Sequence, residues 1–207
     1  VGENIHKVFV NLSCGKPKSK LVAHEAEIGG REIEEADLYR VLTADQVTAG
    51  TPADREMIHS IPVGYSVDDN RGVRDPRGMY GSRLGANVHL VTAQKGPVKN
   101  LRTVIDRCQL EIEAMVATPF ASALACLVDD ERQLGTTCID IGGGVTSLAI
   151  FCDGELVHTD VIPLGGGHMT NDIARGLSTP LESAERMKTL FGCVIPSPSD
   201  DAEMITV

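Results

Sequence analysis

The 207-residue sequence has no long run of basic residues. Its densest group of lysines lies at residues 16–20, and the formal net charge at pH 7 is −10. Binding to a nucleic-acid backbone needs a basic face that neutralises the phosphates. The composition therefore argues against a nucleic-acid partner. The hydrophobic content of 42% is ordinary for a globular chain.

A metal-binding arrangement of cysteine and histidine is also missing. No Cys-x-x-Cys pair occurs among the six cysteines, and the six histidines are scattered along the chain. We therefore assign no metal-ligand cluster. Because the cysteines lie in mostly apolar segments, we expect buried free thiols in a reducing compartment. They are Cys14, Cys108, Cys126, Cys138, Cys152 and Cys193.

Long hydrophobic runs are absent as well. The longest charge-free run, residues 114–128, contains Thr118-Pro119 and falls short of the roughly 20 apolar residues that a membrane-spanning helix needs. It predicts a buried strand followed by a helix. The sequence has no initiating methionine or signal peptide, and its abrupt ends at Val1 and Val207 suggest an internal piece of a longer protein.

The first block of the sequence predicts strands around one helix. A helical spacing begins at Ile33, with acidic residues in its first turn. Residues 70–85 are rich in glycine and are predicted to form a loop. β-type runs predict strands at residues 8–13, 21–28, 57–67 and 86–92.

The second block has the helix, strand, helix order of a mixed α/β fold. It begins at Gly96-Pro97, where proline suits the first turn of a helix. A strand is predicted at residues 110–117 and a helix of small residues at 120–128. The charged run 129–132 is expected to end that helix at the surface.

The third block predicts three successive antiparallel strands joined by tight turns, at residues 136–140, 146–152 and 155–162. Two helices are predicted to follow. The first lies near residues 169–177. The second opens with a capping box, Thr179-Pro180-Leu181-Glu182, and ends at Gly192.

A glycine triplet between the first two of these strands is the strongest indication of chemistry. Gly142, Gly143 and Gly144 let the backbone turn sharply and bring its N–H groups close to an anion such as phosphate. Asp140 precedes them and fits a nucleotide bound with Mg²⁺, because a bare carboxylate would repel phosphate. Thr146 can add a hydroxyl donor. The alternative is a tight turn without a ligand.

A second glycine triplet, Gly165, Gly166 and Gly167, precedes a helix whose N-terminal N–H groups attract anions. Two such loops in one block favour a nucleotide over a plain turn. On the last helix, Glu185 and Lys188 can project from one face because they are three residues apart. The alternative for this pair is a surface salt bridge.

The segment from Cys138 to Thr146 is similar to the second phosphate loop of the superfamily of actin, Hsp70 and sugar kinases. Further motifs resemble the FtsA family of bacterial cell-division proteins, and together they span nearly the whole chain. They are Ile61-Pro62 with Tyr65 and Asp68, Asp75-Pro76-Arg77-Gly78-Met79-Tyr80-Gly81, Val88-His89-Leu90-Val91-Thr92, Asp130-Glu131 with Gly135, and the stretch from Val161 through Asp172-Ile173-Ala174 to Glu185 and Lys188.

The resemblance implies an α/β (α+β) fold made of portions of an actin-like, ribonuclease H-like core. It also implies an inserted strand-helix-strand subdomain of the SHS2 type, known as 1C. The implied boundaries are residues 1–92 for this insert, 93–134 for the rest of the first actin-like subdomain (1A), and 135–207 for the start of the second (2A).

ATP and Mg²⁺ are the ligands that the resemblance implies, with Asp140 near Mg²⁺ through a water molecule or near the attacking water. Glu185 and Lys188 would lie near the ribose and adenine. Val145 and Ser147 depart from the superfamily pattern, where threonine and aspartate are frequent, which predicts weak hydrolysis. The residues implied near the β- and γ-phosphates are Gly142, Gly143, Gly144, Val145 and Thr146, with Gly165, Gly166 and Gly167 across the cleft.

By the same resemblance, the whole protein would polymerise and connect the FtsZ ring to the membrane during septum formation. It would act on the cytoplasmic, inner face of the membrane at the division site. FtsZ and the membrane would bind a subdomain and a C-terminal helix outside this sequence, and later division proteins such as FtsN would bind the insert. The other wall of the nucleotide cleft also lies outside it, so the chain alone is expected to bind nucleotide poorly and to be inactive as an ATPase.

Two alternatives share the superfamily fold. The first is a sugar or acetate kinase that uses the hairpin for phosphoryl transfer, but the sequence contains no recognisable substrate-binding cluster. The second is a chaperone-like ATPase or a type IV pilus assembly protein. The segment from Asp75 to Gly81, inside a strand-rich insert, favours the cell-division family over both.

Overall fold

The computed structural model describes residues 5–43, 51–195, 197 and 204–205. The two ends of the sequence, Val1 and Val207, lie outside the described residues. The strands are Lys7–Leu12 (β1), Lys18–Glu27 (β2), Arg55–Val67 (β3), Asn70–Val73 (β4), Arg83–Gln94 (β5), Glu111–Ala117 (β6), Thr136–Ile141 (β7), Thr146–Cys152 (β8) and Glu155–Ile162 (β9). The helices are Glu35–Leu42 (α1), Lys95–Arg107 (α2), Thr118–Cys126 (α3), Asp129–Leu134 (α4), Gly166–Gly176 (α5) and Leu181–Phe191 (α6). The predicted mixture of strands and helices is confirmed.

The chain divides into two compact units. The first contains the residues up to Asp140 together with Ser147–Val161. The second contains Ile141–Thr146 together with the residues from Ile162 onwards. The second unit therefore holds the glycine turn after β7 and the helices α5 and α6, while most of the strands belong to the first unit.

An antiparallel four-stranded sheet with the order β2-β5-β3-β4 occupies much of the first unit. Its strand β5 lies between two neighbours and is buried along most of its length, which explains its nearly continuous apolar sequence. Helix α1 contributes to the core that this sheet forms, because its apolar spacing places one stripe inward. Buried members of this core are Ile33, Leu38, Val41, Leu84, Val88 and Leu90.

The start of α1 is fixed by a buried carboxylate. Asp37 is 3% exposed and accepts two hydrogen bonds from the guanidinium of Arg31, at 2.7 and 2.6 Å. It also accepts the backbone amide of Glu34 at 3.1 Å. The Arg31 hydrogen bonds are the main reason that the pKa of Asp37 lies below its usual value. The carboxylate thus satisfies an N-terminal amide that the helix itself leaves without a partner.

The segment 70–85 is only partly the loop that the sequence predicts, because it contains β4 and the first residues of β5. Asp68 explains why this segment contains strands. Its φ of 53° lies in the left-handed region and permits the tight turn between β3 and β4. Its carboxylate also accepts the amides of Ser82 and Arg83, at 2.9 and 2.8 Å, which fixes the start of β5.

Strand β1 is outside the four-stranded sheet and pairs in parallel with β6. The register runs from Lys7 opposite Glu111 to Leu12 opposite Ala117. A second core, which includes Leu12, Ala93 and Val98, lies beside this pair. The first predicted strand therefore associates with the second block of the sequence, while the implied subdomain boundaries remain predictions.

The three predicted strands of the third block form a sheet with the order β7-β8-β9. A two-residue connection can join only antiparallel neighbours, and Asp153-Gly154 is such a connection. Ala149 and Phe151 of β8 and Leu156 of β9 are buried in a core shared with Ala123 of α3. This part of the secondary-structure prediction is confirmed.

The helices of the second and third blocks are present, but three of their predicted boundaries differ from the structure. The charged run 129–132 begins a separate helix, α4, because Glu131 accepts the amide of Val128 at 3.0 Å. Helix α5 begins at Gly166, three residues before the predicted start. Helix α6 begins after Pro180, one residue later than the predicted capping box requires, and the buried hydroxyl of Thr179 has no hydrogen-bond partner among the described residues.

The prediction that the cysteines are buried is also wrong. Four of them are exposed and two are half-buried, although all six are free thiols. Cys152 is exposed because it follows buried Phe151 at the end of β8, where successive side chains alternate between faces. Cys126, which is also exposed, is the last residue of α3.

In the described part of the chain, no helix is long and apolar enough to cross a membrane.

Candidate functional site

The turn between β7 and β8 is a hairpin with unpaired backbone donors at its tip. The amide of Gly142 donates to the carbonyl oxygen of Val145 at 2.9 Å and closes the turn. Among the described residues, the amides of Gly143, Gly144 and Val145 donate no hydrogen bond. Successive free N–H groups in a glycine turn form a concave site that can bind an anion.

Packing within the protein does not require glycine at positions 143 and 144. Neither residue has a φ in the left-handed region. A Cβ atom built on Gly143 or Gly144 would meet no atom within 4 Å. No packing contact explains these two glycines, and a phosphate that approaches the backbone closely does, so the hairpin tip fits such a ligand.

The second glycine triplet packs directly against this hairpin. The amide of Gly166 donates to the carbonyl oxygen of Gly142 at 3.0 Å, and that of Gly167 donates to Gly143 at 2.8 Å. A Cβ atom on Gly165 would lie 2.3 Å from the carbonyl oxygen of Gly142, so glycine is required there. These amides are occupied within the protein, so the anion attraction predicted for the start of α5 does not describe this arrangement.

The hydroxyl of Thr146 is likewise engaged within the protein. Its Oγ1 donates to the carbonyl oxygen of Leu164 at 2.8 Å. A hydroxyl has a single proton, so a donor bond to phosphate would require this bond to break. In this arrangement Thr146 joins the base of the hairpin to the segment before α5.

Glu185 and Lys188 contact each other on α6, as their spacing predicts. Lys188 Nζ lies 2.7 Å from Glu185 Oε2 and 3.2 Å from the carbonyl oxygen of Gly166. The pair is thus joined to the second glycine triplet. Hydrogen bonds from Lys188 and then from Thr170 hold the pKa of Glu185 below its ordinary value, so Glu185 is an ionised acceptor at neutral pH.

Thr170 is a residue of this site that the sequence did not identify. It lies on α5 with 6% exposure, and its Oγ1 is 2.9 Å from Lys188 Nζ and 2.5 Å from Glu185 Oε2. Its position four residues after Gly166 was the available signal, because residues at that spacing share a helix face. Its connection to α6 has no local signature in the sequence.

Asp140 belongs to the first unit and lies in β7, half-buried. Its Oδ2 accepts a hydrogen bond from Ser122 Oγ of α3 at 2.7 Å. The described residues contain no group of three or more His, Cys, Asp or Glu side chains that could hold a metal ion. A single carboxylate suits Mg²⁺ that keeps most of its water ligands and binds substrate phosphates.

A separate groove of about 460 Å³ lies in the first unit between the start of β3, helix α2 and strand β6. Its lining combines the apolar Met57, Ile112 and Met115 with the charged Arg102 and Glu113. In the described part of the chain, β6 pairs with β1 alone. An unpaired strand edge beside a groove of apolar and charged side chains can accept an extended peptide.

The sequence matches two family models. The first, described as cell division protein FtsA, matches residues 137–207. The second, described as the SHS2 domain inserted in FtsA, matches residues 15–92. The latter range contains the four-stranded sheet and α1, and it leaves out β1.

Curated relatives cover the chain from end to end. It is 45% identical over 206 residues to the cell division protein FtsA of Agrobacterium fabrum, matching 100% of this chain and 46% of that protein. The FtsA of Pseudomonas aeruginosa is 39% identical over 206 residues, again matching 100% of this chain and 49% of that protein. The chain therefore spans about half the length of these relatives.

A similar solved structure is that of the PilM-PilN type IV pilus biogenesis complex, with a TM-score of 0.63. The likeness covers 90% of this chain and 51% of that one at 18% sequence identity, so it concerns the fold. Together with the match to the SHS2 insert, it confirms the predicted fold class, an actin-like α/β protein with an inserted subdomain.

Proposed function

The chain belongs to the FtsA family of cell-division proteins, and on that premise we propose that its hairpin Gly142–Thr146 binds the phosphates of ATP in the full-length protein. The observation that carries the proposal is the row of unpaired amides at Gly143, Gly144 and Val145. The actin-like fold supports nucleotide binding in general, and the open space above the hairpin suits a phosphate group.

The other site residues bind Mg²⁺ through water, support the hairpin, or lie near the ribose and adenine. Mg²⁺, when bound, neutralises phosphate charge, and Asp140 holds one of its water ligands. Gly165, Gly166 and Gly167 keep the hairpin in place through their contacts with Gly142 and Gly143. Glu185 and Lys188 lie near the ribose and adenine.

ATP turnover is proposed to be slow and to need more of the protein than this chain. Phosphate clamping needs donors from both walls of a cleft. The chain spans about half of the A. fabrum relative, and we place the second wall in the remainder. The isolated chain should therefore bind ATP weakly and show no ATPase activity.

At the cellular level, we propose that the full-length protein polymerises and links the FtsZ ring to the inner face of the membrane. FtsZ and the membrane bind regions outside this chain. Later division proteins, such as FtsN, bind the insert. The groove beside β6, which Met57 of the insert helps to line, suits an extended segment with apolar and charged side chains. Relatives that are cell-division proteins favour this function over a small-molecule kinase.

The nucleotide proposal is tested by two matched glycine substitutions in the full-length protein. Gly144→Ala adds a methyl group above the free amides, and Gly96→Ala adds one where a Cβ likewise meets nothing within 4 Å. We expect Gly144→Ala to weaken ATP binding, measured by calorimetry with Mg²⁺, by about tenfold, equivalent to ~1.4 kcal/mol. Gly96→Ala should leave the affinity unchanged. Equal affinities of both variants and the wild type would refute the phosphate site.

A second test concerns Asp140. Asp140→Ala should reduce ATP-dependent assembly or turnover of the full-length protein, because the Mg²⁺ water shell loses its carboxylate partner. The Mg²⁺ dependence of ATP binding, compared with that of the wild type, is the measurement. Unchanged turnover, assembly and Mg²⁺ dependence would remove Asp140 from the site while leaving the hairpin proposal intact.

A further inference from the structure

We propose that Thr170 is the positioning residue that, together with the anchored Lys188, directs the free carboxylate oxygen of Glu185 at the sugar of the nucleotide. The inference rests on the proposed ATP site and adds the residue that sets its preference for ribose. Thr170 lies on α5, and the two residues that it holds lie on α6, both in the second unit.

The hydrogen-bond partners of Thr170 define the order of the network. Its Oγ1 lies 2.9 Å from Lys188 Nζ, 2.5 Å from Glu185 Oε2 and 3.1 Å from the carbonyl oxygen of Gly166. An ammonium group can only donate, so the hydroxyl accepts from Lys188. Its single proton then goes to Glu185 Oε2, the nearer of its two acceptors, so Lys188, Thr170 and Glu185 form a directed chain.

In this network the amine of Lys188 uses all of its hydrogen-bond donors. Its three contacts are Thr170 Oγ1, Glu185 Oε2 and the carbonyl oxygen of Gly166, which match the three protons of an ammonium group. The side chain is therefore held in one orientation against the glycine triplet. The alternative for Glu185 and Lys188 is a surface salt bridge without a further role. Such a bridge would not need the buried hydroxyl of Thr170.

The two carboxylate oxygens of Glu185 have different surroundings. Oε2 accepts both Lys188 and Thr170, whereas Oε1 has one long contact, 3.5 Å from Thr189 Oγ1. The Glu185 side chain is 54% exposed, so Oε1 is open to a ligand. An ionised carboxylate only accepts hydrogen bonds, which makes Oε1 a partner for a ribose hydroxyl.

The experiment compares ATP with 2′-deoxyATP in the full-length protein. Thr170→Val keeps the shape of the side chain and removes the hydroxyl, and Thr170→Ser keeps the hydroxyl. The control, Thr103→Val, removes a helix hydroxyl of the first unit that donates to the carbonyl oxygen of Lys99 at 2.9 Å. Dissociation constants for both nucleotides are measured by calorimetry, and melting temperatures are measured alongside.

We expect the wild type to bind ATP more tightly than 2′-deoxyATP. Thr170→Val should lose about tenfold in ATP affinity, the usual scale for a hydrogen bond to a charged group, and its preference for ATP should fall towards one. Thr170→Ser should keep the preference, and so should Thr103→Val. Thr170→Ala removes the same hydroxyl if Thr170→Val does not fold.

The outcomes separate this inference from the nucleotide proposal. A wild type that binds neither nucleotide would overturn both. A wild type that binds both, with Thr170→Val weakening them equally, would overturn only the role of Thr170. Failure of both Thr170→Val and Thr170→Ala to fold would show that the hydroxyl maintains the packing of α5 on α6, and would also overturn the positioning role.

Discussion

A methyl group on Gly165 would lie 2.3 Å from the carbonyl oxygen of Gly142, closer than nonbonded atoms approach. The two glycine segments of the site are therefore in backbone contact, and two hydrogen bonds join them, from Gly166 to Gly142 and from Gly167 to Gly143. The second triplet therefore supports the hairpin through its backbone and leaves the amides of Gly143, Gly144 and Val145 without a bond among the described residues.

The first prediction follows from this contact. Gly165→Ala should destabilise the full-length protein by about 1–3 kcal/mol, the usual cost of forcing extra atoms into a packed site, and should also weaken ATP binding. Thermal unfolding and ATP titration measure the two effects. Gly144→Ala is the control, because it should weaken ATP binding without lowering the melting temperature. A Gly165→Ala protein as stable as the wild type would contradict the required contact.

The second prediction compares two Arg–Asp pairs of the first unit. Asp37, paired with Arg31, is buried, whereas the Asp75 side chain, paired with Arg77, is 54% exposed. Asp37→Asn should lower the stability by about 1–2 kcal/mol, because a helix cap and a charge-assisted hydrogen bond are weakened. Asp75→Asn should have no measurable effect, since exposed pairs contribute little. Urea unfolding at neutral pH is the measurement.

The pKa of Asp37 gives this comparison a pH dependence. Because its pKa is lowered on folding, the ionised carboxylate stabilises the protein above its unfolded pKa of about 3.9. That contribution is lost as the pH falls through the lower, folded pKa. The difference in stability between the wild type and Asp37→Asn should therefore shrink below pH ~4. A difference that stays constant down to low pH would contradict the ionised pair.

The elements of this molecule that could be predicted are those with local signals. The hairpin at Asp153-Gly154 and the glycine turn at Gly142–Gly144 both lie between short alternating runs, and each such run is a strand. The pairing of β1 with β6 is parallel and joins distant residues, so no turn between them indicates it.

In the candidate site, too, contacts within one helix could be predicted from the sequence, whereas contacts between elements could not. Glu185 and Lys188 are three residues apart on one helix, so their contact follows from helix geometry. Thr170 meets them only because α5 packs against α6, and that packing depends on tertiary structure. The occupied amides of Gly166 and Gly167 were missed for a similar reason: their acceptors lie on the hairpin, more than 20 residues earlier in the chain.

The third prediction concerns the cysteines. Cys108, Cys126, Cys152 and Cys193 are exposed in the structure. In the native protein they should react with a thiol-alkylating reagent faster than the half-buried Cys138, whose pKa is raised by burial. Mass spectrometry of the modified peptides over time gives the rates. Urea-unfolded protein is the control, in which the rates should converge, and a native Cys138 that reacts as fast as Cys152 would contradict the assigned exposure.

The fourth prediction concerns His89, a fully buried histidine of β5. Neither of its ring nitrogens has a hydrogen-bond partner among the described residues. Burial, and then the nearby His158 and His59, lower its pKa to about 4. The folded protein therefore holds His89 neutral under conditions in which the unfolded chain, with a histidine pKa of about 6.5, takes up a proton.

Because the folded pKa of His89 is the lower one, its protonation favours unfolding, and stability should fall as the pH drops from about 6.5 to about 4. The slope due to this residue cannot exceed ~1.4 kcal/mol per pH unit, the limit for one proton. His89→Leu should flatten the slope, and His6→Leu, at an exposed position, should not. Urea unfolding at several pH values measures it, and identical slopes for the wild type and His89→Leu would show that His89 does not resist protonation in the fold.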